Sequence, residues 1–351
     1  SAFLYASSPT QIFFTDSLWS ECVYGGLLLL VIYFFQQFLK FKHIRYIFFV
    51  GIGVGVCILF RGVATYMVPI FLFATIWKSW KDTEAYRSAA ILGLVVFLTV
   101  LPYSAYISKK FDHFIISDRT LGQMMWLGNN DFKPVTFDSG NGQLSGAHFS
   151  THTKIGRKPC GTKSKPMERE DCQTRNGKEW ILNNPTEFIS RIPLRTAQML
   201  NPHSFLTRHL RAGYWRGLPQ WVDETIIIWN VLWNLFVLIG GSAVMLFQSR
   251  GKQGILLGGI LLYHIAAISA LAGLTRYRVP LEPLLMIYAG GILGHFGFAS
   301  LFKETDKEAI VNAKLLSHSP ARNYLSAVVL ILLSIEIFWF FPMGWPWWRF
   351  W

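Results

Sequence analysis

The sequence predicts an α-helical polytopic membrane protein of about eight transmembrane helices with a large extracytoplasmic insertion of mixed structure. Three observations carry that expectation. Of the 351 residues, 52% are hydrophobic and 16% aromatic, and the mean hydropathy is +0.33, well above what soluble domains show. The apolar residues come in blocks long enough for spanning helices, each of which needs about 20 of them. The basic residues gather between those blocks, as they do in the loops of membrane proteins.

Along the chain the apolar windows fall at 22–39, 46–60, 62–77, 88–107, 225–248, 254–274, 279–302 and 324–341. The second and third are short and meet at Arg61-Gly62, within LFRGVATYMVP. A tight turn at the bilayer surface accounts for both lengths and for the arginine. The chain then divides into a four-span region at 1–107, an extracytoplasmic loop domain at 108–224 and a second four-span region at 225–351. No internal repeat is evident, which argues against a transporter or lipid-carrier flippase. The poor apolar content of 133–178 argues against a membrane-anchored binding protein whose insertion folds alone as a recognition module.

Charge sets the expected orientation. Cytoplasmic loops keep an excess of Lys and Arg, and placing 1–21 outside puts loops 40–45, 78–87, 248–252 and 303–322 in the cytoplasm. Those loops hold twelve of the 33 basic residues. The short outer segments hold four, and the insertion holds the rest, which is allowed because long translocated segments cross regardless of charge. Both ends are then outside. The net charge of +13 does not indicate a nucleic-acid partner, since the basic residues form no single stripe; membrane lipids are the expected partners.

Cys22 and Cys57 fall in spans as small buried residues. Cys160 and Cys172 lie in the insertion, where an oxidising compartment would allow a disulfide closing GTKSKPMERED. His148 and His152 stand at i, i+4 but among too many Gly and Ser residues for a zinc-binding helix. ISKKFDHFIISDRTLGQMMWLGNNDF reads as extended structure passing into a Gly-Asn turn, and 133–178 as surface loop. EWILNNPTEFISRIPLRTAQMLN has apolar residues at helical spacing (Ile181, Phe188, Ile189, Ile192, Leu194) around Pro185, which suits a helix start and an amphipathic position at the membrane surface.

Ionisable residues collect at the outer surface. Asp16 and Glu21 precede the first span, Arg61 follows the second, TRYRVPLEP (275–283) joins the sixth to the seventh, and Glu336 lies in the eighth. Ionisable groups at membrane depth are costly, so several on one side suggest function. Guanidiniums can hold phosphate oxygens in bidentate fashion, and a carboxylate can take a proton or position a metal. Arg349, amid WPWWRFW, reads instead as part of an aromatic interfacial belt.

In the order SSPTQIFFTDSLWSECVYGGLLLLV, GIGVGVCILFRGVATYMVP, WLGNND, NNPTEF and RYRVPLEPLLMIYAGG, the chain resembles the membrane glycosyltransferases of the GT-C superfamily, nearest the branch of protein O-mannosyltransferases and bacterial aminoarabinose transferases. The resemblance implies an inverting enzyme that moves a sugar from a polyprenyl-phosphate donor to a lipid, glycan or protein acceptor. It further implies an extracytoplasmic reaction, with the bacterial inner membrane as the expected location. Members of that group carry their principal catalytic aspartate in the first outer loop, whose equivalent would precede Ser1, so the chain is expected to be the remainder of a longer protein. Asp16 matches a second acidic position and is the expected catalytic residue, positioning the acceptor or a divalent metal ion, the one cofactor candidate. Arg61, Arg276 and Arg278 are expected at the carrier phosphate, with Tyr277 and Glu282 orienting them.

Overall fold

The computed structural model describes residues 2–293 apart from 17–19, 78, 80, 119, 132–136, 139–142, 145–159, 161–165, 212–216, 249–250, 272 and 274. The expected eighth span, the loop at 303–322, Glu336, Arg349, His148 and His152 lie outside the described residues. Within them the regular structure is helical apart from one antiparallel pairing of Phe137–Asp138 with Gln143–Leu144.

The order is α1 (Ala2–Ala6), α2 (Pro9–Asp16), α3 (Ser20–Phe41), α4 (Ile44–Phe60), a 3-10 segment (Gly62–Met67) running into α5 (Val68–Ile76), α6 (Thr83–Phe111), α7 (Leu121–Gly128), α8 (Pro166–Asn183), α9 (Pro185–Leu200), α10 (Phe205–Arg211), α11 (Gln220–Leu235), a π segment (Phe236–Gly241), α12 (Ser242–Gln248), α13 (Gly251–Leu271), a 3-10 turn (Thr275–Arg278) and α14 (Glu282–Leu293). Four stretches are long and apolar enough to cross a membrane: Ser20–Phe41, Thr83–Phe111, Gln220–Leu246 and Lys252–Leu271. Ile44–Phe60 and Gly62–Ile76 are shorter apolar helices and break at Arg61, whose backbone is extended. This is a polytopic helical membrane protein. The first seven expected spans each have a helix in place.

Small residues set how closely these helices pack. Gly51 and Gly55 present one face of α4 to α6: a Cβ at Gly51 would stand 2.7 Å from the Val95 side chain, and one at Gly55 2.6 Å from Thr99. Gly53, between them, faces Val31 of α3 at 2.5 Å. Where lipid removes the hydrophobic drive between helices, such small-residue contacts let backbones approach and gain dispersion energy. The buried core runs through Leu28, Phe35, Val50, Phe71, Leu92 and Ile260. Phe48, Leu94, Phe97, Leu232 and Leu262 point outward, a pattern that suits lipid rather than water.

Hydrogen bonds distinguish the two ends of the bundle. At one, the Lys252 ammonium donates to the Thr75 carbonyl (2.7 Å) and the Ser79 hydroxyl (3.0 Å). At the other, Arg61 donates to the Ser20 hydroxyl at 3.1 Å and the Gly62 amide to Asp118 at 3.2 Å, so the first turns of α3, the α4–α5 break and the segment after α6 meet there.

The insertion departs from expectation in three places. Its first part is not extended: Leu121–Gly128 is helical, because Leu121, Met124, Met125 and Leu127 follow helical spacing and the Glu170 carboxylate takes the free amides of Gly122 (2.5 Å) and Gln123 (3.2 Å), supplying the N-terminal partners that a helix needs. Residues 166–183, mostly assigned to surface loop, form α8, a polar helix opened by Pro166. Pro185 does begin α9, but the buried side of α9 carries Arg191 and Arg195 while Ile189 is exposed. Guanidiniums point inward because they serve carbonyls described below.

Candidate active site

Two arginines far apart in sequence converge on one carboxylate. Glu21, in the first turn of α3, is 1% exposed, and its Oε1 receives the Arg61 guanidinium and, at 3.0 Å, Arg276 Nε. The Tyr277 ring lies beside both cations, 5.7 Å from the Arg61 guanidinium and 5.3 Å from that of Arg276. Burial pushes the Tyr277 hydroxyl above the ordinary tyrosine range against the opposing pull of Arg276 and Arg61, so it stays protonated, and it donates to Met124 Sδ at 3.0 Å. Two guanidiniums share one carboxylate, which leaves a surplus of positive charge in a partly dry setting.

That cluster borders a cavity of about 670 Å³. Arg61 and Tyr277 contribute to its wall, with Tyr66, Phe114 and Leu271 among its apolar surfaces and Asp118, Glu170 and His264 among its polar ones. His264 Nδ1 donates to the Ile260 carbonyl at 2.9 Å, since a carbonyl can only accept, which leaves neutral His264 Nε2 to accept the Tyr24 hydroxyl at 3.2 Å. Asp118 is placed by local structure. Asp112 ends α6 in the left-handed conformation, and the hydroxyls of Ser104 and Ser108 donate to the Ile115 carbonyl at 2.7 and 3.2 Å, folding the chain back until Asp118 reaches the Gly62 amide.

RYRVPLEP divides its residues between two tasks. Arg276 and Tyr277 face Glu21, whereas Arg278 is 1% exposed and donates to Glu282 Oε1 at 2.8 Å, to the Met199 carbonyl at 3.2 Å and to the Asn201 carbonyl. Glu282 also accepts from Gln11 Nε2 at 3.0 Å. The structure therefore brings Arg61, Arg276 and Tyr277 together and commits Arg278 and Glu282 to joining α9, α14 and α2. Asp16 is exposed at the end of α2, and among the described residues no hydrogen bond or ion pair ties it to the Glu21 cluster.

WLGNN and the arginines of α9 join the ends of α7 and α13. Asn129 and Asn130 donate their amides to carbonyls of the last turn of α7, Arg191 to those of Gly128 (3.3 Å) and Asn130 (3.1 Å), and Arg195 to Gly128, Ser269 (3.3 Å) and Ala270 (3.0 Å). Two helix C-termini, those of α7 and α13, are thus satisfied by cations, as their unpaired carbonyls and partial negative charge favour. Burial pulls Arg195 down to about 10, with the Arg191 charge adding to it, and it remains charged at neutral pH. The structure also joins Cys160 to Cys172, with Cα atoms 5.7 Å apart, tying the chain before α8 to the helix that carries Glu170. Among the described residues no group of three His, Cys, Asp or Glu side chains is arranged to hold a metal.

Residues 1–103 match the family model of dolichyl-phosphate-mannose-protein mannosyltransferases. The chain is similar to GT-C membrane glycosyltransferases. No curated protein and no solved structure was found to match it. The matched segment contains α3, the α4–α5 break and most of α6, hence Glu21 and Arg61; Asp118, Arg276 and Tyr277 lie beyond it. Glu21 is visible in the sequence only as one of several outer acids, and nothing there singles out Asp118.

Proposed function

We propose that this chain is a glycosyltransferase that takes its sugar from a polyprenyl-phosphate donor, with the carrier phosphate held by Arg61 and Arg276 on the extracytoplasmic side of the membrane. The observation that carries the reading is the pairing of two guanidiniums on one buried carboxylate at a cavity wall. Glu21 holds the cations together, and the charge it leaves uncompensated is available to a phosphate, which guanidiniums bind with geometric fit. The same charge would stabilise the phosphate as the bond to the sugar breaks, because fixed donors aimed at developing charge act strongly where water is scarce. The Tyr277 ring stands beside both cations. Arg278 and Glu282 are assigned to the framework behind them. Asp16, exposed at the outer end of α2, is assigned to the acceptor, a lipid, glycan or protein group that must lose a proton to attack the sugar.

Binding tests this most directly. The purified chain in nanodiscs is expected to bind farnesyl phosphate and not farnesol, with an affinity that falls as salt rises, since the contact is electrostatic. Equal binding of the alcohol would remove the phosphate site. For orientation, a cysteine introduced at Ser139 is expected to react with a membrane-impermeant thiol reagent in intact cells and one at Ser317 not to react; reversed labelling would invert the topology. The disulfide supports the same orientation, because such bonds persist in oxidising compartments.

A further inference from the structure

We infer that Asp118 is the sugar-recognising residue of the cavity, accepting hydrogen bonds from hydroxyls of the donor sugar; this rests on the carrier phosphate lying at Arg61. The position follows from the chain. Gly62 is the residue after Arg61, and its amide holds one oxygen of Asp118 at 3.2 Å, so the carboxylate stands one residue along the backbone from the phosphate-binding cation. A phosphate bound by Arg61 carries its sugar directly attached, and the sugar must occupy the adjoining cavity. A carboxylate repels the phosphate and attracts hydroxyl hydrogens, so the pair of Arg61 and Asp118 sorts the two ends of one ligand.

Asp118 is also the cavity carboxylate with capacity to spare. Glu170 spends both oxygens on the amides of Gly122 and Gln123. Asp118 gives one contact to Gly62, forms no ion pair among the described residues and is exposed, whereas an ionised carboxylate has about four acceptor positions. The apolar walls at Tyr66, Phe114 and Leu271 offer surface to the C–H faces of a pyranose. Gly62 is part of the device: a Cβ there would stand 2.5 Å from Asp118 Oδ1, so only glycine lets the carboxylate lie against the backbone.

The test compares farnesyl phosphate with mannosyl farnesyl phosphate on the purified full chain in nanodiscs. Wild type is expected to bind the mannosylated lipid more tightly. Asp118→Asn keeps the shape and an acceptor for Gly62 but loses the charge, and is expected to weaken the mannosylated ligand about 10-fold, in line with hydrogen bonds to charged groups, while leaving the bare phosphate unchanged. Gly62→Ala, which displaces the carboxylate from the other partner, is expected to narrow the same preference. Loss of both ligands by the same factor in Asp118→Asn, no loss of either, or a wild type without preference overturns the inference. Arg61→Lys serves as the separate arm: it is expected to weaken both ligands alike, and wild-type binding of bare farnesyl phosphate by that variant would instead overturn the phosphate site, whatever Asp118 does.

Discussion

Arg61→Lys is expected to lower sugar transfer by about 10- to 100-fold while the protein accumulates in the membrane at wild-type level. The size follows from the loss of one charge-assisted hydrogen bond, worth about 1.5–3 kcal/mol. Lysine keeps a cation at the same depth, so a residue that only ended a helix and reached toward lipid would tolerate the change. The guanidinium does more: it donates to Ser20 with Nε and pairs with Glu21 through another nitrogen, a fork that an ammonium on a flexible stem does not reproduce. Transfer by the full-length protein carrying Arg61→Lys, with membrane abundance measured alongside, decides the matter. Wild-type transfer at wild-type abundance would sink the phosphate role and return Arg61 to a helix-ending turn.

The second large effect concerns the junction of α7 and α13. A Cβ at Gly128 would overlap the Leu271 carbonyl oxygen and stand 2.7 Å from its carbon, and neither atom is the free end of a side chain. Gly128→Ala must therefore move the end of α7 away from α13, and that same displacement would break the Arg195 contacts to the Gly128, Ser269 and Ala270 carbonyls. Overpacking alone costs about 1–3 kcal/mol, and a buried guanidinium left short of acceptors adds to it. The expected result is a protein that unfolds at markedly lower temperature in detergent and is largely lost from the membrane. A variant with wild-type thermal stability would show that α7 and α13 are not locked together at this point. Gly258, where an added Cβ meets nothing within 4 Å, provides the control: Gly258→Ala is expected to be tolerated.

The membrane class, the helices at the first seven apolar windows and the break at Arg61 were legible in the residues because each is a local, additive property. Twenty apolar residues must form a helix in lipid whatever their neighbours do, since no other arrangement satisfies their backbone groups. Which of the expected Arg61, Arg276 and Arg278 stand together needed more than that: Arg276 reaches Glu21 across 255 residues, and only the packed bundle sets those ends side by side. Sequence alone also treated Arg276 and Arg278 as equivalent. They differ because the 3-10 turn sends the two side chains in different directions, one to Glu21 and one to the buried end of α9. Likewise, the helices α7 and α8 were hidden because much of their stability lies outside their own apolar pattern. It comes from Glu170 at one helix start, from asparagine and arginine donors at its end, and from the Cys160–Cys172 bond. Composition determines that this chain lives in a membrane; tertiary contacts between groups distant in sequence decide which of its charges face a ligand and which hold the helices together.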